Sequence, residues 1–179
     1  MSFPILKTPR LLLREIDATD APALLDLYAD RAYMQWYGIA PCSDLADAEN
    51  RIKKLSEMRR ASNPATPWAI ERAGEFIGTC GLFAWNQSWH KCSIGYELLQ
   101  KAQGHGYINE AIKAVLPWGF REMEVNRIEA QVHPNNRRSI AVLRRVGFKE
   151  EGCLRQAAYW AAQYHDMLQF SVLRSEWVV

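Results

Sequence analysis

The chain has 179 residues, of which 49% are hydrophobic and 23% charged, and its formal net charge is +2. This composition excludes a disordered chain, and the length fits one domain over residues 1–179 with a single hydrophobic core. Because the net positive charge is so small, we expect no direct binding to nucleic acid.

The cysteines and histidines indicate no metal or redox site. The four cysteines form no C-x-x-C pair, and the four histidines have no metal-ligand spacing. Reduced thiols are typical of the cytosol. The first residues lack the apolar run of a signal peptide, and no stretch of 18 apolar residues predicts a membrane helix. We therefore expect a cytoplasmic protein.

The N-terminal half predicts one strand, two helices and a hairpin. Residues 11–16 form a short apolar run, and Asp20 with Pro22 is typical of a helix start. Residues 44–60 carry acids early and bases late, as a helix dipole favours. Residues 68–72 and 76–83 predict two strands joined around Gly74, followed by a loop that contains Trp85.

The C-terminal half alternates strands and helices. In the strand at residues 92–99, Glu97 points to the face opposite Tyr96 and its apolar neighbours. Apolar residues at helical spacing follow from Ile108, then a strand at 127–132, a helix from 134 to 147, and an antiparallel pair at 148–154 and 163–173. The order predicts a mixed α+β fold with a mostly antiparallel sheet of about seven strands, flanked by helices.

Gly104 and Gly106 stand between a predicted strand and a predicted helix. Backbone amides and the helix dipole favour an anion at such a position, although glycines also make ordinary tight turns. A dinucleotide fingerprint would need a third small residue where Asn109 stands, and a P-loop would need Gly-Lys-Ser/Thr. The spacing therefore favours a pyrophosphate held mainly by backbone.

The segment from Gln103 to Ala111 resembles the coenzyme A pyrophosphate motif of the GNAT N-acetyltransferases, Gln/Arg-x-x-Gly-x-Gly/Ala. Gln103 and Gly106 match this pattern, whereas Ile108 replaces the final small residue. Nearly the whole chain resembles the RimJ/RimL-type ribosomal-protein N-terminal acetyltransferases. The matching stretches are residues 8–14, 76–82, 94–98, 127–130, 136–139, 147–148 and 151–152.

The resemblance implies a GNAT fold in which the parallel strands 4 and 5, here residues 92–99 and 127–132, splay apart to admit acetyl-coenzyme A. Backbone groups in the gap would polarise the thioester carbonyl, and an amine would attack it directly. The implied cofactor-binding residues are Leu98, Leu99, Gln103, Gly104, His105, Gly106, Ile108, Asn109, Asn136 and Ser139.

Glu97 and Ser139 are the catalytic candidates that the resemblance implies. Glu97 would act as general base through water, and Ser139 as the acid toward the thiolate. Two alternatives stay open, since Glu97 could simply hydrogen-bond within the sheet and Ser139 could cap a helix. The tyrosine acid of many GNAT enzymes is replaced by Leu143, and the carboxylate of some RimL-like members by Ala157 and Ala158.

The resemblance predicts a protein N-terminus as acceptor and a monomer or homodimer as the assembly. We expect Trp36, Tyr37, Trp85 and Tyr159 to line the substrate pocket, although aromatic side chains more often belong to a core. Two alternatives are an acetyltransferase of small amines (an amino acid, polyamine or antibiotic) and a non-catalytic coenzyme A-binding sensor module.

Overall fold

The structure, a computed structural model, describes residues 3–29, 34–36, 38–60 and 65–177. Eight strands form one sheet in the order β1-β2-β3-β4-β5-β6-β8-β7 within this part of the chain. The strands are β1 Leu6–Lys7, β2 Leu12–Glu15, β3 Thr66–Arg72, β4 Glu75–Asn86, β5 Lys91–Leu98, β6 Arg127–Val132, β7 Lys149–Trp160 and β8 Gln163–Leu173.

The sheet is antiparallel throughout except where β5 pairs with β6. The parallel ladder joins only Lys91–Ser93 to Arg127–Glu129, so the two strands separate toward their C-terminal ends. The mixed, mostly antiparallel sheet with one parallel pair is therefore confirmed. The eighth strand, β1, was missed because two residues are too few to show alternation.

Among the described residues, four helices cover the two faces of the sheet: α1 Ala21–Ala29, α2 Leu45–Arg60, α3 Tyr107–Glu122 and α4 Arg137–Arg145. The sheet separates two apolar cores, as two successive residues of β3 show. Trp68 packs in the core under α3 and α4, whereas Ala69 packs in the core under α1 and α2. Both helical layers thus bury an apolar stripe against the sheet. No described helix is long and apolar enough to span a membrane.

The predicted C-terminal ends of two strands were wrong, and both ends lie near residues that were predicted to bind the acceptor. β4 continues to Asn86, so Trp85 lies in a strand and packs against the core under α3 rather than in a loop. β7 continues from the predicted end at residue 154 to Trp160, although most of its residues are exposed. An exposed hairpin lacks the alternation of apolar and polar residues by which a strand is recognised.

Candidate active site

A cleft of about 1390 Å³ opens where β5 and β6 separate. Its walls come from the end of β5, the turn that leads into α3, the start of α4 and the residues near the end of α1. The predicted cofactor residues that line the cleft are Leu98, Leu99, Gln103, Gly104, Gly106, Ile108, Asn109, Asn136 and Ser139. The split sheet therefore brings together residues that lie up to 41 positions apart, from Leu98 to Ser139.

The turn before α3 has the backbone that its glycines permit. Gly104 and Gly106 have φ angles of +81° and +78°, in the left-handed region that other residues rarely adopt. Gly106 is the N-cap of α3, and the first amides of a helix have no acceptor within the helix. The turn and the helix start thus present backbone N–H groups beside the cleft, where an anion is favoured.

Gln103 links the turn to both neighbouring elements. Its Nε2 donates to the Leu98 carbonyl at 3.1 Å, and its Oε1 accepts from Arg138 Nη1 at 2.9 Å. The Gln103 side chain therefore connects the end of β5 to α4 across the base of the cleft.

Asn109 provides a test of whether the cleft suits coenzyme A. Its buried Oδ1 has no hydrogen-bond partner, which costs free energy in a site that stays empty of donors. Asn109 lines the cleft, and the amides and hydroxyls of coenzyme A are donors of the kind that this oxygen lacks. Together with the backbone N–H groups of the turn, the residues present fit this cofactor.

Ser139 lines the cleft near the start of α4, and its hydroxyl contacts a second hydroxyl. Asn136 is the N-cap of α4, and its Oδ1 accepts from the Ser139 amide at 3.2 Å. The capping role considered for Ser139 therefore belongs to Asn136. The Ser139 Oγ lies 2.9 Å from the Tyr96 Oη, so the two hydroxyls form a pair beside the cleft.

Tyr96 is the residue that sequence reasoning missed. Its position in the alternation of β5 places it with the apolar residues, and its ring does pack against the core under α3. Its hydroxyl nevertheless reaches the cleft, whereas Leu143, which stands where the resemblance implies a tyrosine acid, is fully buried and is not among the residues that line the cleft. A tyrosine with an apolar body and a polar tip at a cavity edge is the signal that could have identified it.

Glu97 points to the opposite face of the sheet from Tyr96, as its position in β5 predicts, and it does not line the described cleft. Thr79 Oγ1 donates to its Oε2, and the buried Tyr28 of α1 also bonds to the carboxylate. Burial raises the pKa of Glu97, while the bonds from Thr79 and Tyr28 and the charge of Arg51 oppose this rise. The structure thus surrounds this carboxylate with hydroxyl groups on the α1 side of the sheet.

The three predicted acceptor-binding residues that the structure describes do not lie together. Trp36 lines the cleft, whereas Trp85 belongs to the core and Tyr159 is 61% exposed on the β7–β8 hairpin, beside Tyr164. Tyr37 lies outside the described residues. The separation of Trp85 and Tyr159 from the cleft follows from the two strand boundaries corrected above.

Trp36 packs in a cluster of four aromatic rings. We call this cluster the aromatic column; it consists of Trp36, His133, Trp160 and His165. The ring centres of Trp36 and His133 are 4.9 Å apart, and Trp160 stacks on His165 at 3.6 Å. Trp160 Nε1 donates to the Gln35 carbonyl at 3.0 Å. Burial and the nearby His165 lower the pKa of His133. The column joins the segment after α1 to the tip of the β7–β8 hairpin.

Of the cofactor residues predicted in the turn, His105 is the exception. Its ring stacks on Tyr107 with centroids 5.4 Å apart, and it does not line the described cleft. Its carbonyl oxygen accepts from Arg10 Nη1 at 3.1 Å. The contribution of His105 to the turn is therefore made by its backbone.

A family model described as an acetyltransferase (GNAT) domain matches residues 10–149. An N-acetyltransferase named p20 from Bacillus licheniformis is 32% identical, with 96% of this chain and 97% of the relative aligned. The [ribosomal protein uS5]-alanine N-acetyltransferase of Escherichia coli is 26% identical, with 96% and 92% aligned. The structure of Mycobacterium smegmatis RimJ in complex with a CoA-disulfide superposes with a TM-score of 0.86 at 26% identity, covering 97% of this chain and 87% of that chain.

Proposed function

This chain belongs to the GNAT acetyltransferase family and is an N-acetyltransferase, and we propose that it transfers the acetyl group of acetyl-coenzyme A to the α-amino group of a protein N-terminus. The main support is the cleft, whose lining brings together the glycine turn before α3, the hydroxyl-bearing residues Tyr96 and Ser139, and Trp36. The names of the Escherichia coli and Mycobacterium smegmatis relatives support the choice of acceptor.

Bound acetyl-coenzyme A would supply a thioester that an amine can attack directly. The backbone amides of the turn and of the first residues of α3 would hold the pyrophosphate. The main chain of Leu98 and Leu99 would lie beside the pantetheine, and Asn109 and Asn136 would contact polar groups along it. These residues would position the donor, with Ser139 as the residue proposed to lie near its reacting end.

Glu97 would accept the proton that the acceptor amine loses, through a water molecule. An α-amine with a pKa of about 7.7 to 8.0 needs little help at neutral pH, whereas neutralising a lysine side chain near 10.4 costs roughly 4 to 5 kcal/mol. A single carboxylate with a raised pKa is therefore better matched to an N-terminus than to a lysine.

The hydroxyl pair of Tyr96 and Ser139 would donate a proton to the departing sulfur. A phenol with an ordinary pKa of about 10 is a stronger acid than an aliphatic hydroxyl, so Tyr96 is the better donor and Ser139 its partner. Their 2.9 Å separation allows the proton to be shared before it is transferred.

The charges of the cleft also bear on the acceptor. Among the described residues that line it, Asp26 is the one acid, whereas Lys101, Arg137, Arg138 and Arg145 are basic. A polyamine with several positive charges would need several acids, but a protein N-terminus carries one charge at its reacting end. The excess of basic over acidic residues in the lining of the cleft therefore favours a protein N-terminus over a polyamine as the acceptor.

The rate at which free coenzyme A thiol is released from acetyl-coenzyme A, measured with a panel of amines, tests which amine is the acceptor. The panel would contain peptides with free N-terminal Ala or Ser, the same peptides with blocked N-termini as matched controls, single amino acids and a polyamine. We expect kcat/KM for the free peptides to exceed that of every other compound at least about tenfold. A small amine that reacts best would replace the proposed acceptor, and tight coenzyme A binding without any turnover would indicate the non-catalytic module.

A further inference from the structure

The N-terminal segment lies across the turn that would hold the pyrophosphate. Glu110 Oε1 accepts from the Thr8 hydroxyl at 2.6 Å and from the Arg10 amide at 3.0 Å. Glu110 Oε2 accepts from Arg10 Nε at 2.7 Å and pairs with Arg10 Nη2 at 2.6 Å. Residues about 100 positions apart in sequence are thus joined at the first turn of α3.

Glu110 carries a negative charge in the first turn of α3, beside residues that line the cleft where an anionic ligand is expected. Burial opposes ionisation, but the hydrogen bonds from Thr8 and Arg10 outweigh it and lower the pKa of Glu110. An acid in the first turn stabilises a helix by interacting with its dipole. The same positive end of α3 would attract the pyrophosphate, so an unpaired Glu110 would repel the ligand.

Arg10 also fixes the turn itself. Its Nη1 donates to the His105 carbonyl at 3.1 Å. A trans peptide is planar, with its carbonyl and its N–H on opposite sides, so holding the His105 oxygen directs the Gly106 N–H away from Arg10. Gly106 lines the cleft, whereas Arg10 and His105 are not among its described lining residues. The bond therefore directs the Gly106 N–H away from Arg10, on a residue that itself lines the cleft.

A ring contact holds the guanidinium between its two partners. The Arg10 Cζ lies 4.7 Å from the centre of the Tyr107 ring, and Tyr107 is a buried residue that also lines the cleft. The Arg10 side chain remains 47% exposed, and exposed ion pairs contribute little to stability. Replacing Arg10 should therefore leave the fold intact while changing the turn.

We propose that Arg10 is a positioning residue for the coenzyme A pyrophosphate. It neutralises Glu110 at the positive end of α3, and it orients the His105–Gly106 peptide so that the Gly106 N–H faces the cleft. Thr8 assists by binding the same Glu110 oxygen as the Arg10 amide. The inference rests on the proposed function, because it assumes that coenzyme A occupies the cleft.

A double-mutant cycle measured by calorimetric titration with coenzyme A tests this role. We expect Arg10→Gln to weaken the Kd about tenfold, since it exposes the ligand to the Glu110 charge. Glu110→Gln should bind coenzyme A at least as tightly as the wild type, and the double variant should recover most of the loss. Arg10→Lys keeps the positive charge but loses the bidentate contact with Glu110, so its Kd for coenzyme A should lie between those of the wild type and Arg10→Gln.

Arg59→Gln is the matched control. Arg59 pairs with Glu15 at 2.7 Å in the same N-terminal half, and neither residue lines the cleft. Its variant should bind coenzyme A within about twofold of the wild type, because the pair is remote from the turn.

Three results would overturn the inference: an unchanged Kd in Arg10→Gln, a double variant as weak as Arg10→Gln, or weaker binding by Glu110→Gln. Should Arg10→Gln fail to fold by circular dichroism, Arg10→Lys and Glu110→Gln still decide the question. Failure of the wild type to bind coenzyme A would instead overturn the proposed function, so the two failures are distinguishable.

Discussion

At the scale of single residues, the proposed chemistry depends on two neighbours in β5 that face opposite sides of the sheet. Tyr96 reaches the cleft and pairs with Ser139, whereas Glu97 lies among Thr79 and Tyr28 on the α1 side. Alternation along one strand thus places the proposed acid on one face and the proposed base on the other. Their roles can be separated by substitutions that change a single group.

Glu97→Gln should lower turnover about 10²-fold or more, because it removes the base and keeps the shape of the side chain. Coenzyme A affinity should be retained, since Glu97 does not line the described cleft. In the wild type the base works only when ionised, so kcat/KM should fall as the pH decreases through the raised pKa of Glu97. The pH at which this decrease occurs should lie above the usual pKa range of a glutamate, and the decrease should be absent in the variant. A variant with the same pH-rate profile as the wild type would exclude Glu97 from the mechanism.

Tyr96→Phe deletes one hydroxyl and leaves the ring in its apolar surroundings. We expect turnover to fall about tenfold or more, since Ser139 alone is a weaker acid toward the sulfur. The Kd for coenzyme A should stay near the wild-type value. Steady-state kinetics and calorimetry measure the two quantities, and turnover equal to that of the wild type would exclude Tyr96 as the proton donor.

At the scale of secondary-structure elements, α4 divides its arginines between two environments. Arg137, Arg138 and Arg145 line the cleft, and Arg138 is bonded to Gln103. Arg144 instead pairs with Glu150 at 2.7 Å and faces away from the cleft. The helix thus contributes positive charge to a site that would receive a cofactor with several phosphates.

Arg145→Gln should weaken coenzyme A binding about fivefold, because it removes a cation from the lining of the cleft that would receive the phosphates. Arg144→Gln is the matched control, since it removes the same charge from the adjacent position outside the cleft. Calorimetric titration at two salt concentrations measures both variants, and the difference between them should shrink at high salt. Equal effects of the two substitutions would indicate that only the net charge matters.

At the scale of the whole molecule, the cleft exists because the sheet divides. β5 and β6 pair over three residues and then separate, and the helices on either face supply the walls. The aromatic column closes this arrangement on one side, since it holds the segment after α1 against the β7–β8 hairpin. Parts of the chain more than a hundred residues apart therefore meet beside Trp36, which lines the cleft.

Trp160→Ala should raise the KM for the acceptor about fivefold while leaving the Kd for coenzyme A unchanged, because it detaches the hairpin from Gln35 without altering the phosphate turn. Tyr159→Ala is the matched control, since the adjacent Tyr159 contacts Tyr164 rather than the column. Kinetics with a saturating donor measure the effect. A KM equal to that of Tyr159→Ala would mean that the column does not shape the acceptor end.

The sequence by itself determined the order of the elements apart from the two-residue β1, the turn at Gly104 and Gly106, and the family. The elements and the turn are local properties, because a left-handed glycine, a helix start and an alternating strand depend on residues a few positions apart. For the same reason the face on which Glu97 lies was predictable from its neighbours in β5. The family followed from the order and spacing of motifs along nearly the whole chain.

Only the tertiary structure decided which side chains meet. Tyr96 pairs with Ser139 across 43 positions, and Arg10 with Glu110 across 100, and no local pattern specifies either contact. Trp85 entered the core and Tyr159 remained on an exposed hairpin, although both are aromatic residues near predicted strand ends. The reason is that side-chain partners depend on how sheet and helices pack, which is a property of the whole chain rather than of any segment.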